Sequence, residues 1–110
     1  MAYAIGDVVL VPFPFTDLTD LRVRPAVVVS SEAFNEENDD VTVAMITSQS
    51  RIGATDWELR DWQNAGLRLP SWVRAKLVTL HQGLIQFSPG RLSRRDREGV
   101  RQRIRIALDL

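Results

Sequence analysis

The chain has 110 residues, enough for one domain built on a single core. It is 45% hydrophobic and 25% charged, ordinary globular proportions that exclude wholesale disorder. Fourteen basic and fourteen acidic side chains cancel, which argues against a duplex-DNA binder acting through its overall field, and the absence of cysteine removes disulfides, thiolate nucleophiles and cysteine-ligated metal sites.

Asp7 to Phe13 predicts a first strand, closed by Pro12 and Pro14, which cannot donate to a ladder. Thr16 to Leu21 supplies turn formers. Pro25 to Ser30 predicts a second strand, apolar on both faces and therefore central, and Val41 to Ile46 a third. Between them Ser31 to Asn35 fits a single helical turn, followed by the acidic stretch Glu36 to Asp40. Gln49 to Thr55 is polar and broken by Gly53, and reads as a mobile loop. Trp57 to Leu59 fits a short strand, and Asp61 to Ala65 a helical turn stopped by Gly66. Ser71–Lys76, Leu77–His81 and Leu84–Phe87 read as three further short strands. From Ser93 the period changes: Ser93 with Asp96 has the form of a helix N-cap, and Val100, Ile104, Ala107 and Leu108 recur at helical spacing with arginines opposite. Short strands plus one terminal helix predict a mainly β fold, a small barrel-like sheet forming one domain over residues 1–110.

No apolar run approaches the roughly 18 residues of a membrane span. The N-terminus has no basic segment and meets Asp7 at once, so it does not read as a signal peptide, and the chain reads as cytoplasmic. Through Asp61 there are eleven acids and four bases; from Trp62 onward, three acids and ten bases. Thirteen of the fourteen basic residues are arginine, whose planar fork suits phosphate, although an arginine-biased genome gives the same composition.

Few groups are available for chemistry. His81 is the lone histidine, so a histidine pair for metal is impossible, and the scattered glycines form no phosphate loop. Histidine suits general acid–base work, yet a surface or structural role fits His81 better. Glu36-Glu37 and Asp39-Asp40 read as a solvated acidic run. Arg24 precedes Pro25 and is therefore biased to extended geometry at the mouth of an apolar strand. Thr47 and Ser48 place two hydroxyls at the exit of the next strand.

The order of these segments resembles the MazF/PemK family of toxin endoribonucleases. The likeness is carried by Gly6-Asp7-Val8-Val9-Leu10-Val11, Arg24-Pro25-Ala26-Val27-Val28-Val29-Ser30, Asn35, and Val41–Ile46 running into Thr47-Ser48. It continues through Gly66-Leu67, Ser71-Trp72-Val73-Arg74, Thr79-Leu80 and Gly90-Arg91-Leu92-Ser93, so it covers nearly the whole chain. The resemblance implies an SH3-like barrel, a homodimer, and the toxin of a type II toxin–antitoxin pair that cleaves single-stranded RNA at short sequences. It also implies chemistry without metal or other cofactor, in which the 2′-hydroxyl attacks the adjacent phosphate to leave a 2′,3′-cyclic phosphate and a 5′-hydroxyl. By that resemblance Arg24 and Thr47 are the best-matched active-site positions, and Arg74 matches a second catalytic arginine of some members. Ser48, Asp20 and Lys76 are the RNA-binding positions expected beside them.

Two departures stand out. Lys76 occupies the place of an aspartate in those members, and in the first loop only Asp17 or Asp20 approximates an expected acid, so no general base is assigned. His81 inherits no catalytic role. Trp57, Trp62 or Phe15 offer stacking surfaces for bases, with core or dimer packing as their other role. An acidic, disordered antitoxin tail is expected to occupy the same groove as RNA. The alternatives are a slow or inactive member of the family, or a non-catalytic binder such as a CcdB-like topoisomerase poison. The poison acts through a C-terminal tryptophan segment, and this chain has no tryptophan beyond Trp72.

Overall fold

Valine-rich runs with side chains alternating between two covered faces dictate the architecture. In the computed structural model, which describes residues 3–14, 21–50 and 53–110, they form six strands: β1 (Asp7–Pro14), β2 (Leu21–Val28), β3 (Asp40–Thr47), β4 (Asp56–Glu58), β5 (Trp72–His81) and β6 (Phe87–Arg91). Helix α1 (Glu32–Asn38) joins β2 to β3, and helix α2 (Arg94–Leu108) follows β6. The strands make one antiparallel sheet in the order β4-β5-β3-β2-β1-β6.

Period-two alternation separates two cores. One face carries Val8, Val27, Ala44, Ile46 and Val73, and packs on Leu59, Ala65, Leu92 and Val100 of α2. The other carries Val9, Val11, Ala26, Val28, Val41, Val43 and Met45, covered in part by Tyr3, Val78, Leu80 and Ile85. The ladder stays open between β4 and β6, but the sheet curls until main chain meets main chain. Gly66 has a φ of +84°, and a Cβ there would lie 2.7 Å from the Pro89 carbonyl oxygen, while one at Gly90 would run into that of Ala65. Glycine at both places lets the turn after β4 lie against β6, which makes the fold barrel-like without a closed ladder.

Two buried polar side chains lock the connections. Asp96, fully buried in the first turn of α2, accepts hydrogen bonds from Trp57 Nε1 (3.0 Å), Arg60 N (2.9 Å) and Asp61 N (2.9 Å). The expected N-cap is in place, with Ser93 Oγ accepting from Asp96 N and donating to Asp61 Oδ2. Asn35 donates through Nδ2 to the carbonyls of Tyr3 (2.8 Å) and Ser30, accepts from the Ser30 hydroxyl, and its own carbonyl accepts from Gln82 Nε2 (2.7 Å). That anchor explains why the single turn expected at Ser31–Asn35 extends to seven residues and absorbs Glu36 and Glu37 on its exposed side.

Three strand expectations change. Ser71–Lys76, from Trp72 onward, and Leu77–His81 merge into one ten-residue strand. Its register against β3 jumps from Ala44↔Leu77 to Met45↔Arg74, so Ala75 and Lys76 are extra residues in a bulge. Of Leu84–Phe87 only Phe87 lies in a strand, as the first residue of β6. A 3-10 turn over Gln82–Leu84 precedes β6, with His81 Nδ1 accepting from Gly83 N. Finally, β2 begins at Leu21, ahead of Pro25. Pro25 lies one residue past the last β2–β3 pair, Ala26↔Met45, where its absent N–H breaks no bond to β3. Arg51 and Ile52, within the loop expected from Gln49 to Thr55, lie outside the described residues. No helix among the described residues is long and apolar enough to cross a membrane.

Candidate active site

Antiparallel neighbours bring the start of β2, the end of β3 and the start of β5 to the same end of the sheet. The β2–β3 ladder stops at Ala26↔Met45, and two residues further along each strand stand Arg24 and Thr47. On the other side β3 pairs Met45 with Arg74 and Thr47 with Trp72. Side-chain parity puts Arg24 on the face of Ala26 and Val28, Thr47 on that of Met45, and Arg74 and Lys76 on that of Val78. One face of the sheet thus runs from an apolar core into a cluster of cations and hydroxyls.

A groove of about 880 Å³ opens there, and Arg24, Thr47, Ser48, Arg74 and Lys76 all line it. Asp20 lies outside the described residues, as do Asp17 and Phe15. Arg22 and Arg68 complete a set of five basic side chains, and no acidic residue joins the lining among the described residues. A chain of zero net charge has therefore gathered a positive concavity, where low-dielectric walls focus the field on an anion. Its other wall residues include apolar Leu10, Met45, Ile46, Leu67 and Leu69.

Local structure holds the functional groups. Arg24 is half-buried and fixed by the extended geometry that Pro25 imposes. Thr47 Oγ1 accepts from Gln49 N at 3.1 Å, so the backbone sets its rotamer and its hydroxyl proton remains for a substrate oxygen. Arg74 Nε lies 3.7 Å from Asp56 Oδ1. The bulge at Ala75–Lys76 displaces the adjoining backbone, a device that re-aims side chains beside sites.

Other candidates lie elsewhere. Trp57 and Trp62 pack into the core beneath α2. Trp57 also donates to Asp96, has the Arg60 and Arg103 guanidinium carbons each 5.5 Å from its ring centroid, and fills the space that a side chain at Gly99 would need. Neither tryptophan is presented to the groove, so the stacking role gives way to packing. His81 is exposed at the far end of β5 from Arg74 and caps the 3-10 turn. Among the described residues no three histidine, aspartate or glutamate side chains form a candidate metal cluster. A second hollow, of about 460 Å³, lies between α2 and the end of β2; its lining is largely valine, isoleucine and arginine, with no hydroxyl side chain.

Arg22, Arg68, Leu69 and Asp56 were not singled out from the sequence. Arg22 shares the parity of Arg24 on an extended segment, a usable signal. Arg68 and Leu69 lie in a connection with no periodicity, and Asp56 becomes visible only through strand pairing.

The sequence model of PemK-like, MazF-like toxins of type II toxin–antitoxin systems matches residues 4–108. No curated protein matches the chain in sequence. Among solved structures, an endoribonuclease in complex with its cognate antitoxin from a mycobacterial species superposes with a TM-score of 0.84 at 20% identity, covering 99% of this chain and 97% of that chain. Mycobacterium tuberculosis toxin MazF-mt6 gives 0.78 at 23% identity, covering 94% and 97%. A MazE-MazF structure from Deinococcus radiodurans gives 0.77 at 18% identity, covering 100% and 98%. These likenesses establish the fold, while the match over nearly the full length settles the grouping. The chain belongs to the PemK-like, MazF-like toxin family of type II toxin–antitoxin systems.

Proposed function

We propose that the protein is a toxin endoribonuclease that cleaves single-stranded RNA in the cytoplasm, sequence-selectively and without metal, and is neutralised by a cognate antitoxin. The observation that carries this reading is the convergence of Arg24, Thr47 and Arg74, from three strands, on a groove with five basic residues and no acid in its described lining. Such a lining suits phosphate and opposes a divalent cation. Structural relatives are named as an endoribonuclease and as antitoxin complexes, which is consistent with this reading.

In the proposed reaction the 2′-oxygen attacks the adjacent phosphorus as the bond from phosphorus to the 5′-oxygen breaks. The 2′-hydroxyl loses a proton and the departing oxygen gains one, leaving a 2′,3′-cyclic phosphate and a 5′-hydroxyl. Arg24 and Arg74 balance the charge that grows on the non-bridging oxygens, where fixed donors need no reorganisation. Thr47 and Ser48 orient the phosphate or the attacking hydroxyl, and Lys76 with Arg68 holds flanking phosphates. An acidic antitoxin segment occupies the same groove, so RNA and antitoxin compete. As the family resemblance implies, the working form is a homodimer.

A slow or inactive member is the second reading. It is favoured by one observation: no histidine or carboxylate appears in the described lining to act as general base.

The test is cleavage of a long single-stranded RNA in excess chelator, with end-group analysis, beside Arg24→Ala and Thr47→Ala. Cuts at one recurring word, cyclic-phosphate ends and two inactive variants are the expected result. Intact RNA with a folded, dimeric wild type would establish the second reading, and cuts surviving in both variants would displace the site.

A further inference from the structure

We infer that Asp56 is a positioning residue for Arg74, holding its guanidinium in the groove from the neighbouring strand; the inference rests on the proposed ribonuclease reading. Asp56 and Arg74 are direct cross-strand partners on β4 and β5, so their side chains leave the sheet on the same face. The carboxylate Oδ1 is 3.7 Å from Nε. The Asp56 side chain is 7% exposed against 28% for Arg74, and only Arg74 reaches the groove lining. Asp56 therefore backs the arginine from inside. Contact through Nε leaves the terminal amino groups for a phosphate.

The backbone holding that carboxylate is tied at both ends. Asp56 N donates to the Gly53 carbonyl at 3.2 Å, and its own carbonyl accepts from Arg103 Nε of α2 at 2.8 Å. A strand of only three residues is thus anchored to the main helix at the residue facing Arg74. Among the described residues Asp56 has no other ionic partner and no side-chain hydrogen bond. A carboxylate so nearly enclosed needs a cation beside it.

Lys76 supplies the opposing force. It is the next side chain of β5 on the same face and it lines the same groove. Two like charges two residues apart repel, and the bulge between β3 and β5 leaves the Arg74 segment without the full support of a regular ladder. Asp56 counteracts that repulsion, and the arginine stays where the phosphate's charge develops.

The experiment is a double-mutant cycle, Asp56→Asn and Arg74→Ala, on an oligonucleotide carrying one mapped cleavage site. A side-chain ¹⁵N NMR spectrum of the arginine Nε–Hε groups accompanies it. We expect Asp56→Asn to lower kcat about tenfold with little change in KM, since the geometry at the transition state is what is lost. In the Arg74→Ala background the same substitution should change kcat less than about twofold. The Arg74 Nε–Hε resonance should move in Asp56→Asn while that of Arg24 stays. Equal losses in both backgrounds, or an unchanged kcat in Asp56→Asn, would overturn the inference. If wild-type protein cleaves no RNA the ribonuclease reading fails by itself, and the Arg74 resonance alone then decides the pairing: movement supports it, and a fixed position overturns it.

Discussion

Arginine has two fates at opposite sides of this sheet. On α2, Arg97 donates to the Leu92 carbonyl at 2.8 Å, Arg103 to the Asp56 carbonyl at 2.8 Å, and Arg95 pairs with Asp61 at 3.0 Å. In the groove, Arg24, Arg68 and Arg74 line open volume beside the hydroxyls of Thr47, Ser48 and Ser71. Six of the thirteen arginines belong to α2, and none of these six reaches the groove. The excess of basic residues in the second half of the chain, which suggests a phosphate track, is therefore largely a property of the helix. What separates the two sets is position: Arg24 and Arg74 stand where the β2–β3 ladder ends, while arginines of α2 answer main-chain carbonyls and Asp61.

The sharpest way to break the contrast is at Asp96. Asp96→Ala leaves the Trp57, Arg60 and Asp61 donors unpartnered in the interior, at an expected loss of about 3–5 kcal/mol in urea unfolding. A loss under about 1 kcal/mol would show that water satisfies those groups and that the helix side is less rigid than described. On the groove side, Arg24→Ala should lower kcat about 100- to 1,000-fold while costing much less stability than Asp96→Ala. A matching fall in stability would place Arg24 with the structural arginines instead.

Asp61 offers a finer test. Hydrogen bonds from the Ser93 hydroxyl and from Arg95 hold its carboxyl below the usual aspartate range. A carboxyl with a lowered folded pKa stabilises the native state at neutral pH; that contribution fades as pH falls past the ordinary aspartate value and is gone below the folded one. Asp61→Asn should flatten the acid side of the plot of Tm against pH, and an unaltered slope would remove the assignment. The smallest effect belongs to Arg101→Ala with Arg105→Ala, for which kcat should stay within about twofold, because exposed charges outside the groove act only through a field screened over about 8–10 Å. A tenfold loss would mean that RNA reaches the helix.

The sequence revealed the ends of α2 well, since Ser93 as N-cap and the spacing of Val100 and Ile104 report local chemistry. It also revealed that Thr47 stands at a strand end, because the run Val41–Ile46 leads into it, whereas Arg24, expected at the mouth of a strand, is the fourth residue of β2. The bulge at Ala75–Lys76 was illegible: no glycine or proline marks it, and the apolar pattern keeps its parity across two added residues. The same holds for Asn35, whose burial depends on the Tyr3, Ser30 and Gln82 segments converging. The partnership of Asp56 with Arg74 follows from strand pairing, which a linear pattern does not encode. Trp57 and Trp62 show the converse, for their type suggests base stacking while their surroundings commit them to the core.

The short β4, Pro89 in β6 and the close approach of the Ala65–Gly66 turn to β6 bear on how the protein behaves in bulk. The edge strand on one side, β4, covers only Trp72 to Arg74 of β5, and the strand on the other side carries a residue without an N–H beneath a covering turn. The β6 side thus presents no long row of unanswered donors and acceptors, whereas β5 from Lys76 to His81 has no partner strand on its β4 side among the described residues. Strand addition by another chain is accordingly directed to that edge of β5 rather than to β6, and it begins at Lys76, a residue of the charged groove.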